Sequence, residues 1–348
     1  MKKIDKKKTK KINYSLIIPA YNAEKTIKYC LESVKKIYDK HNIEVIVCDN
    51  SSTDRTIEII KKFPFKIIIN KKKQTAGSTR NKGAMNSRYD NLIFLDSDCV
   101  APKNLIRILE KTPNFYKQNC IAGNFSTNNI FKNFFSLYKT SYAHFKLKNQ
   151  KDNVLNSAIM FIKKKHFVKV GMFNENLKSM EDDDFSIRFQ NSGYFIYFNK
   201  NLEVHHYKKY NFYSLTKNDF LRSKQLVSLL FDNLKNKKIK RYNNWFKLYL
   251  KTLLNCFALL FNLLFIFFYL KYSSLQSIYF FNFKFIFLVN FLYLIINYDH
   301  LIFNLKVYNL FFSLRFILFQ FFTYLTILSG LSIGMIEYLI KNFYKKKS

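Results

Sequence analysis

A chain of 348 residues has room for one large domain or two ordinary ones, and its formal net charge of +35 directs attention first to nucleic acid or anionic membrane. No base-reading module accompanies that charge, and Lys, Asn, Ile, Phe and Tyr abound together beside only 7 Gly and 4 Pro, a compositional bias that raises total charge by itself. Five cysteines without Cys-x-x-Cys or paired His spacing exclude a zinc module and a disulfide framework, and fit reduced, buried thiols.

The chain opens with Lys2, Lys3, Lys6, Lys7, Lys8, Lys10 and Lys11, which reads either as a lipid-facing cytoplasmic tail or as a solvated terminus. This start is basic rather than apolar, so no signal peptide is expected. Ser15 to Ile18 predicts a short strand, and Ala23 to Ile37 a helix with Ile27, Leu31 and Val34 at helical spacing. Ile43 to Cys48 predicts a buried strand ending at Asp49. Asn50 to Asp54 is a turn and helix-cap cluster, and Thr56 to Lys62 begins the next helix. Phe65 to Ile69 and Asn91 to Leu95 read as further strands around a helix over Thr75 to Ser87. This rhythm predicts an α/β fold with a doubly wound, mostly parallel sheet.

The fourth strand ends in Asp96-Ser97-Asp98. Ligands of open α/β sheets bind at the carboxyl ends of strands. In extended chain Asp96 and Asp98 would point the same way, and two carboxylates suit a divalent cation that shares its shell with phosphates. Tyr21-Asn22 and Asp49 end two neighbouring strands in the same manner, which describes a nucleotide pocket. Beyond it, Asn119 to Phe125 and Asn156 to Ile162 read as strands. The aromatic stretch Phe131 to Leu147 is a helix or an acceptor-side loop, and Asp184 and Arg188 are spaced as a structural i,i+4 pair.

Ser15 to Asn22, Val45 to Thr56, Ala76 to Gly83, Asp96-Ser97-Asp98, Val170 to Glu175 and Glu181 to Arg188 together resemble the family-2 glycosyltransferases, over roughly residues 13 to 210 and in that family's order. The resemblance implies a GT-A nucleotide-sugar-binding domain. By it, Pro19, Ala20, Tyr21, Asn22, Asp49, Arg80, Asn81 and Asp96 would hold the donor, with Asp49 on the nucleobase. Asp98 would bind Mn²⁺ or Mg²⁺, joined by a histidine for which His205 is favoured over His206, because Val204 and His206 would share the opposite face of a strand. Asp182 would be the general base, with Asn156, Ser157 and Glu181 on the acceptor side. Cys48-Asp49-Asn50 departs from the family's common Val-Asp-Asp, which puts the nucleobase in question. The processive signature Gln-x-x-Arg-Trp is missing, which argues for single-sugar transfer.

From about Trp245 onward Phe, Leu, Ile and Tyr dominate. Expected spans are Leu248 to Leu270, Leu275 to Ile296 with Lys284 near its middle, and Leu310 to Ile340 with Arg315 and Glu337 inside. The expected organisation is a basic tail at 1–12, the catalytic domain at 13–210 and an amphipathic or interfacial helix at 211–245. Two to four transmembrane spans at 246–341 and a basic tail at 342–348 complete it. The charge rule favours cytoplasmic C-terminal lysines, which three spans would place outside. The expected activity is inverting, metal-assisted transfer from a nucleoside-diphosphate sugar to a lipid-linked or glycan acceptor at the membrane, without a nucleic-acid partner. The alternative is an inactive membrane scaffold that keeps the fold.

Overall fold

A computed structural model describes residues 12–149, 155–235, 243–271 and 276–345. The basic tail at 1–11 and the last three residues lie outside the described residues, as does the side chain of Lys284. The chain divides into two compact units, Met1–Asn124 with Asp152–Tyr207, and Phe125–Lys151 with Lys208–Ser348.

The first unit is built on parallel strands β1 (Tyr14–Ala20), β2 (Ile43–Asp49), β3 (Lys66–Ile69) and β4 (Asn91–Leu95). β1 pairs in parallel with both β2 and β4, and β2 with β3. These strands carry continuous apolar runs because both faces of the sheet are covered; Leu16, Ile17, Ile46, Val47, Ile93 and Phe94 have no solvent exposure. Each such side chain contributes about 2 kcal/mol by burial. β4 also pairs antiparallel with β7 (Ile159–Lys163), and β7 pairs antiparallel with β6 (Cys120–Phe125). A two-residue β5 (Cys99–Val100) pairs antiparallel with the long β8 (Ile196–His206). The sheet order is β3-β2-β1-β4-β7-β6-β8-β5. The chain runs outward from β1 to β3 and then returns to the other side of β1 as β4, so a topological switch point lies at the carboxyl ends of β1 and β4.

α1 spans Ile27–Tyr38 and buries Ile27, Cys30, Leu31, Val34 and Ile37. It starts four residues later than the sequence predicts, because Ala23 O accepts from Thr26 N and Ile27 N in a turn. α2 (Thr56–Ile60) is initiated by Asp54, whose carboxylate accepts from Thr56 N at 3.0 Å and from its hydroxyl. α3 (Ala76–Met85) is capped by the Thr75 hydroxyl, which accepts from Ser78 N at 3.1 Å. Gly83 lets α3 lie directly on β1 and β2: a Cβ there would stand 2.5 Å from Ile17 Cγ2 and 2.8 Å from Cys48 Sγ. Short helices α4 (Leu105–Glu110) and α6 (Lys164–Lys169) follow β5 and β7. α7 (Glu181–Asn191) begins after Met180 in the left-handed region, at φ 64°. Its first turn holds four carboxylates, a placement the helix dipole favours. The expected Asp184–Arg188 pair forms at 2.7 Å, and Arg188 also donates to Val170 O and Met172 O.

The second unit is helical. α5 (Phe134–Asn149), expected inside the catalytic domain, groups here instead. Its buried residues are Ser136, Tyr138, Thr140, Ser141 and His144, and Tyr138 packs its ring on Phe316 and hydrogen-bonds the Thr323 hydroxyl. The remaining helices are α8 (Phe212–Lys235), α9 (Asn243–Lys271), α10 (Gln276–Val307) and α11 (Leu310–Lys345). Two stretches, Ile286–Val307 and Leu310–Phe343, are long and apolar enough to cross a membrane, and Thr252–Phe268 is a shorter apolar helical stretch. Ile286–Val307 overlaps the expected Leu275 to Ile296, and Leu310–Phe343 contains the expected Leu310 to Ile340. α8 packs along α11 at Gly330 and Gly334, where a Cβ would collide with the carbonyls of Phe220 and Lys224. Lys224 also pairs with Glu337 at 2.6 Å, and the Arg315 guanidinium lies 4.4 Å from the Phe134 ring centroid. Reciprocal amide bonds join Asn262 to Asn290, and Asn297 bonds Asn255, which in turn bonds the Tyr324 hydroxyl.

Candidate active site

The register aligns Ala20 with Asp49, so the ends of β1 and β2 are level. Asp49 is fully buried. Its Oδ2 accepts from Ser52 N at 2.9 Å, whereas Oδ1 is enclosed with no hydrogen-bond partner. A buried acceptor left without a donor is costly, so this oxygen is suited to an incoming N–H. Asn50, the departure from the family pattern, spends its amide inside the protein: Nδ2 donates to Gln74 O, and Oδ1 accepts from Gln74 N and Asn70 Nδ2. Pro19 sits within β1 opposite Cys48. Tyr21 is exposed, with Lys73 Nζ 4.0 Å from its ring centroid and donating to its hydroxyl. Asn22 has φ 45°, and it ties the β1 end to the loop after β2 by accepting from Thr53 N and donating its own N–H to Ser52.

Asp96-Ser97-Asp98 is a turn rather than extended chain, closed by Cys99 N donating to Asp96 O at 3.0 Å. The two carboxylates bond different protein partners. Asp96 Oδ1 accepts from Arg80 Nη2 at 2.6 Å. Asp98 Oδ2 lies 3.4 Å from His206 Nε2, and Asp98 Oδ1 accepts a weak bond from the Cys99 thiol. His206 therefore stands beside Asp98, where the sequence favoured His205 for a shared ion. Leu202 and Val204 are fully buried, and His206 continues that same face of β8 to the edge where Asp98 stands. The β5–β8 register pairs His205 with Val100 and His206 with Cys99.

Arg80 and Asn81 are both buried and bonded within the protein. Arg80 is buried and also donates Nη1 to Glu181 Oε1 at 2.8 Å. Burial opposes its charge, but Asp96 and then Glu181 outweigh that and raise its proton affinity above that of a free guanidinium. Burial pushes the Glu181 carboxyl up, against the pull of Arg80. Asn81 donates Nδ2 to Phe173 O and Glu175 Oε1, and its Oδ1 accepts from Phe173 N, which leaves this amide no donor for a nucleotide. Within the run Glu181 to Asp184, Asp182 alone keeps partial exposure. Its Oδ1 also accepts from Asp183 N. Asn156 and Ser157 are both buried and precede β7 rather than begin it. Ile159 N donates to Asn156 O, and Ala158 O accepts from Asp96 N, which sets this turn against the Asp96 turn.

Residues 15–173 match the sequence profile described as Glycosyl transferase family 2. This stretch is a family 2 glycosyltransferase domain. The family 2 domain has relatives of matching name: the chain is 30% identical over 187 residues to an "Uncharacterized glycosyltransferase" of Haemophilus influenzae, covering 50% of this chain and 60% of that protein. It is 29% identical over 192 residues to "Glycosyltransferase AglE" of Haloferax volcanii, covering 53% of this chain and 63% of that protein. The chain thus spans about three-fifths of the length of these curated relatives. A mannosyltransferase from Pyrobaculum calidifontis, solved with GDP-Man and Mn²⁺, superposes with a TM-score of 0.49 at 14% identity, covering 65% of each chain. Asp182 and His206 lie beyond the matched stretch of the family 2 domain.

Among the described residues no group of three or more His, Cys, Asp or Glu side chains forms a closed metal site. Asp98 and His206 offer one carboxylate and one imidazole. That donor set fits a Mn²⁺ or Mg²⁺ ion completed by water and phosphate oxygens. Sequence reasoning favoured His205 over His206 for the ion, and it did not foresee the internal role of Glu175. Alternation along β8 gives no signal for His206, because it puts His206 on the face of the buried Val204; the Gly-x-Phe-x-Glu segment itself marks Glu175.

Proposed function

We propose that the chain is an inverting glycosyltransferase that moves a sugar from a nucleoside diphosphate to an acceptor at a membrane. The observation that carries this reading is that the enclosed Asp49 Oδ1 and the Asp96-Ser97-Asp98 turn stand at strand ends of the stretch that matches family 2, with the part-exposed Asp182 beyond that stretch at the start of α7. Asp49 Oδ1 accepts an imide or amide N–H of the nucleobase, as uracil or guanine provides. The exposed Tyr21 ring offers a stacking face once Lys73 moves aside. Asp98 and His206 would hold a divalent ion, which would supply positive charge to neutralise the departing diphosphate. Asp182 accepts the proton of the acceptor hydroxyl as that oxygen bonds the anomeric carbon, and the diphosphate leaves from the opposite face. No covalent intermediate is needed, and the anomeric configuration inverts. The apolar helices support membrane association; the reading adds a lipid-linked or glycan acceptor there and, because nucleotide sugars are cytosolic, a multi-pass chain with its catalytic unit on the cytoplasmic side.

The test is a thermal-shift panel of UDP-, GDP-, dTDP- and CDP-sugars with and without Mn²⁺, on the wild type and Asp49→Ala. Stabilisation by one base class, strengthened by Mn²⁺ and lost in Asp49→Ala, supports the reading. No stabilisation by any nucleotide contradicts it.

A further inference from the structure

Arg80 stands at a junction of the fold. From α3 its guanidinium reaches Asp96 at the end of β4 and Glu181 at the start of α7, at 2.6 and 2.8 Å, and its third nitrogen, Nε, is buried without a partner. The Phe173 ring lies 5.7 Å away. For this cation to reach a diphosphate it would have to abandon two carboxylates, one of them buried, and uncompensated buried charge is strongly disfavoured. Arg80 is therefore poorly placed as a nucleotide ligand and well placed as a bridge.

Other residues of the same helix grip the loop that leads into α7. Thr75 Oγ1 donates to Glu175 O at 3.0 Å. The Glu175 carboxylate accepts from Ser78 Oγ at 3.0 Å and Asn81 Nδ2 at 2.9 Å. Asn81 is bonded in both directions to the backbone of Phe173. At Gly77 a Cβ would stand 3.1 Å from Phe173 Cβ and 3.5 Å from Glu181 Cβ, so the loop and the α7 start lie against α3 itself. α3 thus anchors the approach to α7 at Phe173 and Glu175, and its first residue at Glu181.

We infer that Arg80 is a positioning residue, which fixes the first turn of α7, and with it Asp182, in register with Asp96 at the end of β4. This rests on the proposed roles of Asp182 as base and Asp96 on the donor side. Arg80 touches neither donor nor acceptor. It sets the placement of the group that takes the proton relative to the group that faces the donor.

The experiment compares full-length wild type, Arg80→Gln and Arg80→Lys in detergent. Three quantities are read: hydrogen exchange of amides 181–185, affinity for UDP and GDP with Mn²⁺, and kcat and KM for nucleoside-diphosphate release from UDP-GlcNAc, UDP-Glc and GDP-Man. In Arg80→Gln the 181–185 amides should exchange about tenfold faster, while those of β1 and β2 keep their protection. UDP or GDP affinity and donor KM should stay within about threefold, and kcat should fall on the order of 100-fold, the usual cost of a base displaced by about 1 Å. Arg80→Lys, with a single ammonium that cannot span both carboxylates, should lie between the two and serves if Arg80→Gln does not fold. Unchanged exchange at 181–185 would overturn the inference. So would a collapse of UDP or GDP affinity with kcat retained at saturation, or activity losses that follow global melting alone. If the wild type turns over none of these donors, the proposed activity is what fails, and exchange at 181–185 alone decides whether Arg80 anchors α7.

Discussion

Gly83→Ala tests the seat of α3 on the sheet, from which Arg80, Asn81 and Ser78 all reach the site. The new methyl would stand 2.5 Å from Ile17 Cγ2 and 2.8 Å from Cys48 Sγ, against an optimum of about 3.5–4.0 Å. Both neighbours are fully buried, and Ile17 is β-branched with its Cβ also close, at 3.6 Å, so the obstruction is stiff. Alanine gains about 1 kcal/mol over glycine in a helix interior, and overpacking a core costs about 1–3 kcal/mol. At distances this short the upper part of that range applies. Net destabilisation of about 1–2 kcal/mol follows, with α3 lifted by about 1 Å. The assay is thermal unfolding of the full chain in detergent, followed by a thiol-reactive dye, since Cys30, Cys48, Cys99 and Cys120 are all buried in this unit. In a Cys48→Ala background one obstruction is gone, and Gly83→Ala should cost less by about 0.5–1 kcal/mol. An unfolding temperature at or above wild type for Gly83→Ala in the native background would refute the argument.

Burial pushes the Cys48 thiol from 9.0 up to about 12. Above pH 9 the unfolded chain has released that proton while the native chain keeps it, so stability from this group is complete below pH 9 and declines as pH rises toward 12. The decline reaches about 4 kcal/mol at most, and urea titrations at pH 8 and 10 should show a shallower loss in Cys48→Ala than in wild type. His206→Ala should raise the Mn²⁺ concentration for half-maximal nucleotide-sugar turnover about tenfold or more, with His205→Ala changing it less than threefold; equal effects of the two would dismiss the assignment of His206 to the ion.

The parallel core was legible because its strands are buried on both faces and read as unbroken apolar runs: Leu16 to Ile18, Val45 to Cys48 and Leu92 to Leu95. Polar residues at their ends mark the candidate site, where open α/β sheets bind ligands. What local pattern concealed was set by distant pairing. Residues 96–98 look extended in sequence, but the hydrogen bond from Cys99 N to Asp96 O bends them, and β5 beyond the bend is only two residues long. Val204 and His206 do share a face, as alternation requires, yet that face ends beside Asp98. α5 lacked an apolar stripe because its buried side is largely small and polar: Ser136 accepts from Tyr210 N, Thr140 from Asn129 Nδ2, and Ser141 donates to Asn304 Oδ1. Arg80 read as a surface cation or a phosphate ligand, since nothing near it in sequence announces Asp96 and Glu181 as its partners.

The central claim is tested most directly by transfer of radiolabelled sugar, from the nucleotide donor that stabilises the wild type, into membranes containing the full chain. The wild type should label a membrane-associated product. Asp182→Asn, which leaves Oδ1 to accept from Asp183 N, should fold, bind the donor within about threefold and lose transfer by a factor on the order of 100 to 10,000. Transfer by Asp182→Asn at the wild-type rate would contradict the account.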